Sequence, residues 1–337
     1  MQEARFYEKR KDMSVSCRLC SHHCTIAAGK RGICGVRENQ AGTLMSLVYG
    51  KLVSENLDPI EKKPLFNFLP GSTSYSIATV GCNFQCAHCQ NWEISQYPRL
   101  HHDEIIGMGR SPNAVVDEAV LSGARSISYT YVEPTIFYEF AYDCSALARK
   151  KMLKNVFVSN GYMTPEVTRE LATVIDAINI DIKAFTEKFY HKFCKARLAP
   201  VLDTVKLMHE LGVWVEVTTL IIPGHNDSPE ELREIAQFIH SVDPSIPWHV
   251  TAFYPHYQML DVPPTPASTL RMARDIGLAQ GLRFVYEGNI PGEGGENTFC
   301  PSCGTMVISR HGFRILKNNL KDGHCPSCGA GVPGIWS

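Results

Sequence analysis

The sequence predicts an α/β protein: a partial barrel of parallel strands with a cysteine-rich appendage at each end. Three observations predict it. Strand-like runs alternate with helix-length segments through the middle of the chain. The strands alternate apolar and polar residues internally. Eleven of the 13 cysteines fall into three tight groups, two of them flanking the alternating region. With 337 residues, 44% of them hydrophobic and 20% charged, the chain can bury a sizeable core as one large domain plus small appendages.

Residues 1–72 read as a cysteine-bearing N-terminal extension. It includes TLMSLVYGKLVS, expected to form a short hairpin, and a loop-rich link around Asp58, Pro59, Pro64, Pro70 and Gly71. Residues 73–290 carry seven strand-like runs: SYSIATV, SISYTYV, NVFVSN, AINIDIKAF, VWVEVTTLII, WHVTAFY and LRFVYE. Helix-length segments such as SPNAVVDEAVLSG, TPEVTRELATVI and SPEELREIAQFIHSV separate them. This spacing argues for βαβ units and a mostly parallel sheet. Thr164 and Ser228 each precede Pro and then Glu, which marks helix N-termini. Gly123, Gly212 and Gly281 stand where helices should stop. Residues 291–337 read as a compact module built on two CPSCG knuckles, with GVPGIWS as a possible docking tail for another molecule.

A parallel strand buried on both faces is normally apolar on both. Here Ile178, Ile180 and Ile182 point one way, while Asn179, Asp181 and Lys183 point the other. Val213, Val215 and Val217 likewise oppose Trp214, Glu216 and Thr218. A polar inner face on several strands suggests a barrel or half-barrel whose interior is a site. Ligands in such folds bind at the C-terminal strand ends.

The net charge is −1 and no basic stripe appears, which argues against a nucleic-acid or anionic-membrane partner. The first residues lack the apolar stretch of an export signal. No run approaches the ~18 apolar residues needed to span a bilayer. The expected location is the cytoplasm, where clustered cysteines point to metal or redox chemistry rather than disulfides. Cys144 and Cys194 are isolated and read as buried small hydrophobes.

The central group is GCNFQCAHCQN, directly after the first strand run. Cys82, Cys86 and Cys89 are spaced C-x3-C-x2-C with no nearby fourth cysteine. Three thiolates on one loop can hold three irons of a cubane and leave the fourth open. An open iron can chelate the amine and carboxylate of S-adenosylmethionine (SAM), and the cluster's electron can then break a sulfonium bond. A zinc knuckle with His88 as fourth ligand, or plain buried cysteines, are the competing readings.

This triplet resembles that of the radical SAM superfamily, and CQNWEIS resembles its pyruvate formate-lyase-activating branch. The resemblance implies a partial (β/α)6 barrel, a [4Fe–4S] cluster and bound SAM. It implies that Glu133, in YVEPT after the second strand, holds the SAM amino group, although the family's two glycines before that glutamate are absent. Asn160 before Gly161, Asp181 with Lys183, and His256 in FYPHYQM match further family positions that contact SAM. Thr218 and His249, on polar strand faces, are added as candidates. More narrowly, CRLCSHHC, GKRGICGVR, YTYVEPTIFYE, NTFCPSC and CPSCGAGVPGIW resemble the AmmeMemoRadiSam-system radical SAM enzymes over nearly the whole chain. That resemblance implies association with a Memo-like protein.

Cys17, Cys20, Cys24 and Cys34 have metal spacing that suits zinc or a second Fe–S cluster. Cys300, Cys303, Cys325 and Cys328 form paired C-x2-C knuckles, a zinc-ribbon signal that predicts Zn²⁺. The expected activity is reductive SAM cleavage to a 5′-deoxyadenosyl radical that abstracts hydrogen from a small molecule. An electron donor of low potential, ferredoxin or flavodoxin, is required. The alternatives are a glycyl-radical activase acting on a protein glycine and a non-catalytic multi-metal adaptor.

Overall fold

The computed structural model describes residues 1–290 and 294–337. Its centre is an eight-stranded sheet whose order follows the chain. Seven strands are parallel: β1 (Thr73–Ala78), β2 (Ser126–Tyr129), β3 (Lys154–Ser159), β4 (Ala177–Asp181), β5 (Trp214–Ile221), β6 (Trp248–Ala252) and β7 (Val285–Gly288). Six helices make the crossovers: α1 (Pro112–Leu121), α2 (Tyr138–Lys150), α3 (Pro165–Leu171), α4 (Ala199–Glu210), α5 (Pro229–Val242) and α6 (Ala267–Ala279). Six β/α units are therefore present, followed by a seventh parallel strand. The eighth strand, Ser54–Pro59, comes from the N-terminal 72 residues and pairs antiparallel with β1. It ties that extension to the barrel sheet.

The helices begin where their caps lie. The hydroxyls of Ser111, Thr164 and Ser228 accept hydrogen bonds from the N–H groups of Ala114, Val167 and Glu231, with Pro at the first helical position each time. Each such cap contributes about 1 kcal/mol. On α5, Leu232, Ile235, Ala236, Phe238 and Ile239 are buried, an i, i+3, i+4, i+7 stripe that lies on the sheet. Ile178 and Ile180 of β4 are fully buried beneath the helical layer. Each stabilises the fold by roughly 1.5–3 kcal/mol. The opposite strand faces carry the polar residues read from the sequence. Because one face packs on helices, register fixes which residues look inward.

The expected TLMSLVYGKLVS hairpin does not form. Thr43–Ser46 pairs with Arg37–Gln40 on one side and Gln2–Glu3 on the other. Lys51–Leu52 pairs with Met108–Gly109 instead. The tight turn lies at Ala41-Gly42, where both residues have positive φ, the geometry of a two-residue hairpin loop. Residues 47–50 leave the strands on either side of them unpaired with each other.

After residue 293 the chain forms a three-stranded antiparallel sheet: β8 (Thr298–Phe299), β9 (Met306–His311) and β10 (Arg314–Asn318). The boundary expected at 291 lies outside the described residues. This module is fastened to the barrel by buried polar bonds. Arg310 donates to the carbonyls of Phe66 (2.8 Å) and Glu296 (3.0 Å) and to Thr298 Oγ1 (2.7 Å). Glu216 of β5 accepts from the N–H groups of Phe66 (2.9 Å) and Asn67 (2.8 Å). Asn67 Nδ2 then donates to the carbonyl of Pro333 at 2.9 Å. The closing GVPGIWS is thus docked on its own chain, with Ile335 bridging to Phe68. Among the described residues no helix is long and apolar enough to cross a membrane.

Candidate active site

The three central cysteines follow β1 on a loop that reverses over the C-terminal edge of the sheet. Gly81 makes the approach possible. Its φ is +96°, and a Cβ there would lie 2.5 Å from Val36 Cγ1, a contact no other residue could make. The loop is then clamped by backbone bonds, with Gln85 N–H donating to the carbonyl of Cys194 (3.0 Å) and Ala87 N–H to that of Phe193 (2.9 Å). Gln96 and Arg99 donate to the carbonyl of Phe84. Tied down this way, Cys82, Cys86 and Cys89 all line one cavity of about 540 Å³. Burial pushes the Cys82 and Cys89 thiols up. The Cys194 thiol beside it, and burial, do the same to Cys86. All three thiols favour the protonated form until a cation replaces the proton.

The polar strand ends face the same cavity. Glu133, 3% exposed, lies past β2. Its Oε1 accepts from the Thr135 N–H (3.0 Å) and from the hydroxyls of Thr135 (2.5 Å) and Ser159 (2.9 Å), and its Oε2 from the Asn160 N–H (2.7 Å). Burial raises its pKa against these bonds, which favour the anion. Asn160 Nδ2 donates to Asn83 Oδ1 at 2.8 Å, coupling the third strand's turn to the cysteine loop. Lys183 Nζ donates to Asp181 Oδ2 at 2.9 Å. Burial works against the Lys183 charge, but Asp181, Cys86 and Cys194 hold it protonated. Thr218 lines the wall, and its buried Oγ1 has no hydrogen-bond partner in the chain. His249 also lines it, with Nε2 2.6 Å from buried Glu216.

His256 is the exception among the expected contacts. It lies in the loop after β6, bridged to Met259, and is not part of the cavity wall. A lone histidine in a loop carries no directional signal in sequence.

Several residues at or beside the cavity were not expected from the sequence, and His88 was expected only as a fourth zinc ligand. Cys194 is buried as expected, yet its sulfur, that of Cys86 and a nitrogen of His88 lie within 4.8 Å of one another. The π-helix Tyr190–Cys194 brings it there, and nothing in the local spacing announces it. His88 Nδ1 is buried without a partner, and burial holds its pKa down at about 3. It is a neutral imidazole. Lys63 also lines the cavity, with its side chain 1% exposed. Its ammonium donates to Asp58 (2.6 Å) and stands 4.6 Å from the centroid of the Tyr131 ring. Burial lowers Lys63 to about 8. Burial would raise Asp58, but hydrogen bonds from Lys63, Tyr131 and Lys62 hold it below the usual carboxylate range. Phe313, from the turn between β9 and β10, also reaches the cavity wall. The C-terminal module is thus part of the pocket.

The C-terminal cysteines are arranged differently. The sulfurs of Cys300, Cys303, Cys325 and Cys328 all lie within 4.8 Å of one another, converging from two knuckles. Cys300–Cys328 and Cys303–Cys325 are each 3.7 Å apart. This is a four-thiol ligand set closed on itself.

Comparison with known proteins agrees with this geometry. Residues 76–239, which span the cysteine loop and β2 to β5, match the Radical SAM superfamily. An uncharacterized protein of Methanocaldococcus jannaschii is 47% identical over 332 residues, 98% of each chain. A putative glycyl-radical enzyme activating enzyme of the same organism is 24% identical over 64% of this chain and 80% of its own. The pyruvate formate-lyase-activating enzyme of Listeria monocytogenes is 23% identical over 53% of this chain and 76% of its own. With three cysteines opening from the first strand onto a polar barrel interior, the chain belongs to the radical SAM superfamily.

Proposed function

We propose that Cys82, Cys86 and Cys89 hold a [4Fe–4S] cluster and that the polar strand ends hold SAM beside it. When bound, the cluster supplies one electron that splits SAM into methionine and a 5′-deoxyadenosyl radical, which takes a hydrogen atom from a substrate. The observation that carries this reading is the shared cavity: three thiols from one loop, Glu133, the Asp181–Lys183 pair and Thr218 all open onto it. The unpartnered Thr218 Oγ1 supports the fit, since a buried hydroxyl without a partner is costly unless a ligand completes it.

The residues divide the work. Glu133 is fixed by four donors, so it presents a rigid carboxylate to the SAM ammonium. Lys183, held charged near Cys86, offsets the negative charge of the thiolates. Asn160 fixes the distance between β3 and the cysteine loop. Reducing equivalents come from ferredoxin or flavodoxin, and Zn²⁺ occupies the four C-terminal cysteines.

The substrate is a small molecule. In support, Lys63 and Phe313 add a cation and an aromatic surface to the cavity wall. A second reading, activation of a protein glycine, is favoured by the activating-enzyme relatives.

The test is anaerobic iron and sulfide reconstitution followed by dithionite and SAM. Wild type forms 5′-deoxyadenosine; Cys86→Ala does not. Equal product from the two proteins would overturn the proposal. Adding a deuterated extract then separates the substrates. Deuterium passing into 5′-deoxyadenosine from the low-molecular-weight fraction supports a small molecule, and passing only from the protein fraction supports the activase.

A further inference from the structure

We propose that the cluster-free chain binds a divalent ion of the zinc class on Cys86, His88 and Cys194, and that this ion withholds Cys86 from the iron–sulfur cluster. The ligand atoms of these three residues lie within 4.8 Å of one another, and all three residues are buried. Cys82 and Cys89, the partners that a zinc knuckle with His88 would need, are not in this group. Two cysteines and a histidine with the fourth position open are an established zinc ligand set. The competition rests on the cluster proposed above; the ion site itself does not.

The imidazole points to an ion independently. His88 is 4% exposed, and its Nδ1 has no hydrogen-bond partner in the chain. A buried polar atom left without a partner is costly. The nearest ring, Phe189 at 5.9 Å between centroids, offers no polar atom. An ion bound at Nδ1 supplies the missing partner, since a neutral imidazole ligates through either nitrogen.

The backbone holds the three ligands in place. Cys194 ends the π-helix Tyr190–Cys194, a rare turn that recurs at functional sites. Lys195, directly after it, has a φ of +58°, so the chain bends sharply there. The carbonyls of Phe193 and Cys194 accept from the N–H groups of Ala87 (2.9 Å) and Gln85 (3.0 Å). Gln258 N–H donates to the Ala87 carbonyl at 3.0 Å. Cys86 and His88 flank Ala87, so both are fixed relative to Cys194. Ligands ordered before the ion arrives lose little entropy on binding it.

The charges also match. Binding exchanges the two thiol protons for the ion. Two thiolates, a neutral imidazole and a divalent ion sum to zero. Lys183, within electrostatic reach of both sulfurs, is already paired with Asp181 at 2.9 Å. A buried site without net charge avoids the penalty of an unpaired buried ion. With Cys86 on the ion, a cluster has only Cys82 and Cys89 of its three cysteines.

The test uses the full-length chain and reads metal content, without dithionite or SAM. Metal-free protein is loaded with excess zinc sulfate, desalted and analysed, then carried through iron and sulfide reconstitution. Wild type should hold about one zinc more than Cys194→Ala and His88→Leu. Zinc-loaded wild type should take up less than about half the iron of the zinc-free chain, because one of three cluster ligands is withheld. Zinc should leave the iron uptake of either variant unchanged. Equal zinc in all three proteins overturns the site. Zinc that still blocks iron in Cys194→Ala overturns the ligand set in favour of a knuckle on Cys82, Cys86, Cys89 and His88. If neither variant folds, wild type decides: uptake that falls with zinc supports the competition, and uptake that ignores zinc refutes it. Extra zinc in a wild type that forms no 5′-deoxyadenosine after zinc-free reconstitution supports the ion site while overturning the proposed function.

Discussion

The loop after β1 and the C-terminal module use the same side chain to opposite ends. In the module four thiols converge until their sulfurs lie within 4.8 Å of one another, enough ligands to fill a tetrahedral site. On the loop three thiols line a 540 Å³ cavity that they share with carboxylates, hydroxyls, ammonium groups and aromatic rings. A closed set of four ligands spends its coordination on the fold. An open set of three leaves coordination for chemistry. The difference teaches that ligand count and what faces the ligands, rather than the abundance of cysteine, separate the reactive centre from a structural one.

The sharpest way to break this comparison is to exchange the losses. Cys89→Ser should abolish iron retention and reduce 5′-deoxyadenosine to the metal-free background while leaving the C-terminal ion in place. Cys325→Ser should do the reverse, losing that ion and keeping iron. Elemental analysis of the two purified proteins decides it. Co-loss of both metals in either variant would dissolve the distinction between open and closed sets.

A smaller effect tests how the closed module serves the open site. Arg310 is buried, donates to the carbonyls of Phe66 and Glu296 and stands near Glu61, itself buried. Arg310→Met should cost about 3–5 kcal/mol, because Glu61 is left without its cation. Thermal melts of the zinc-loaded protein measure this. A loss below about 1 kcal/mol, the worth of a surface pair, would mean that the module is only loosely attached.

On the open side, Asp58→Asn removes the anion that Lys63, Lys62 and Tyr131 share. The Asp58 pKa is depressed on folding, so the stability it adds is present above its unfolded pKa of about 4 and fades as pH falls below that value. The variant should lose about 3 kcal/mol at pH 7, and the gap to wild type should narrow under acid. Urea melts at neutral pH and at about pH 3 test the sign. A gap that widens in acid would refute the assignment.

The smallest expected change is at Thr218. Its Oγ1 is buried with no partner in the chain, so Thr218→Val should leave the stability of the ligand-free chain unchanged or raise it. The KM for SAM should nevertheless rise about fivefold, the worth of one hydrogen bond near 1 kcal/mol. Destabilisation without a KM change would make Thr218 a packing residue.

Much of this architecture is written locally. All seven parallel strands coincide with runs marked by alternation, and the helices after Thr164 and Ser228 start at the expected caps. The inward placement of Asp181, Lys183 and Thr218 follows from strand periodicity alone, since the isoleucines and valines between them must meet the helices. The hairpin at TLMSLVYGKLVS failed because the pairing partner of Thr43–Ser46 is set by the Ala41-Gly42 turn before it rather than by the apolar run after it. His256 was out of reach for a different reason. A loop residue's direction depends on the loop's path, which no periodicity encodes.

By itself the sequence determined the three cysteine groups, the parallel alternation and the polar strand faces, because ligand spacing and side-chain period act over a few residues. Only the tertiary structure decided that Cys194 meets Cys86, that Lys63 and Phe313 join the cavity wall, and that the last residues dock on Asn67. Those contacts join residues far apart in the chain. They are selected by the burial of whole surfaces and by the pairing of buried charges such as Arg310 with Glu61, and neither leaves a mark in local spacing.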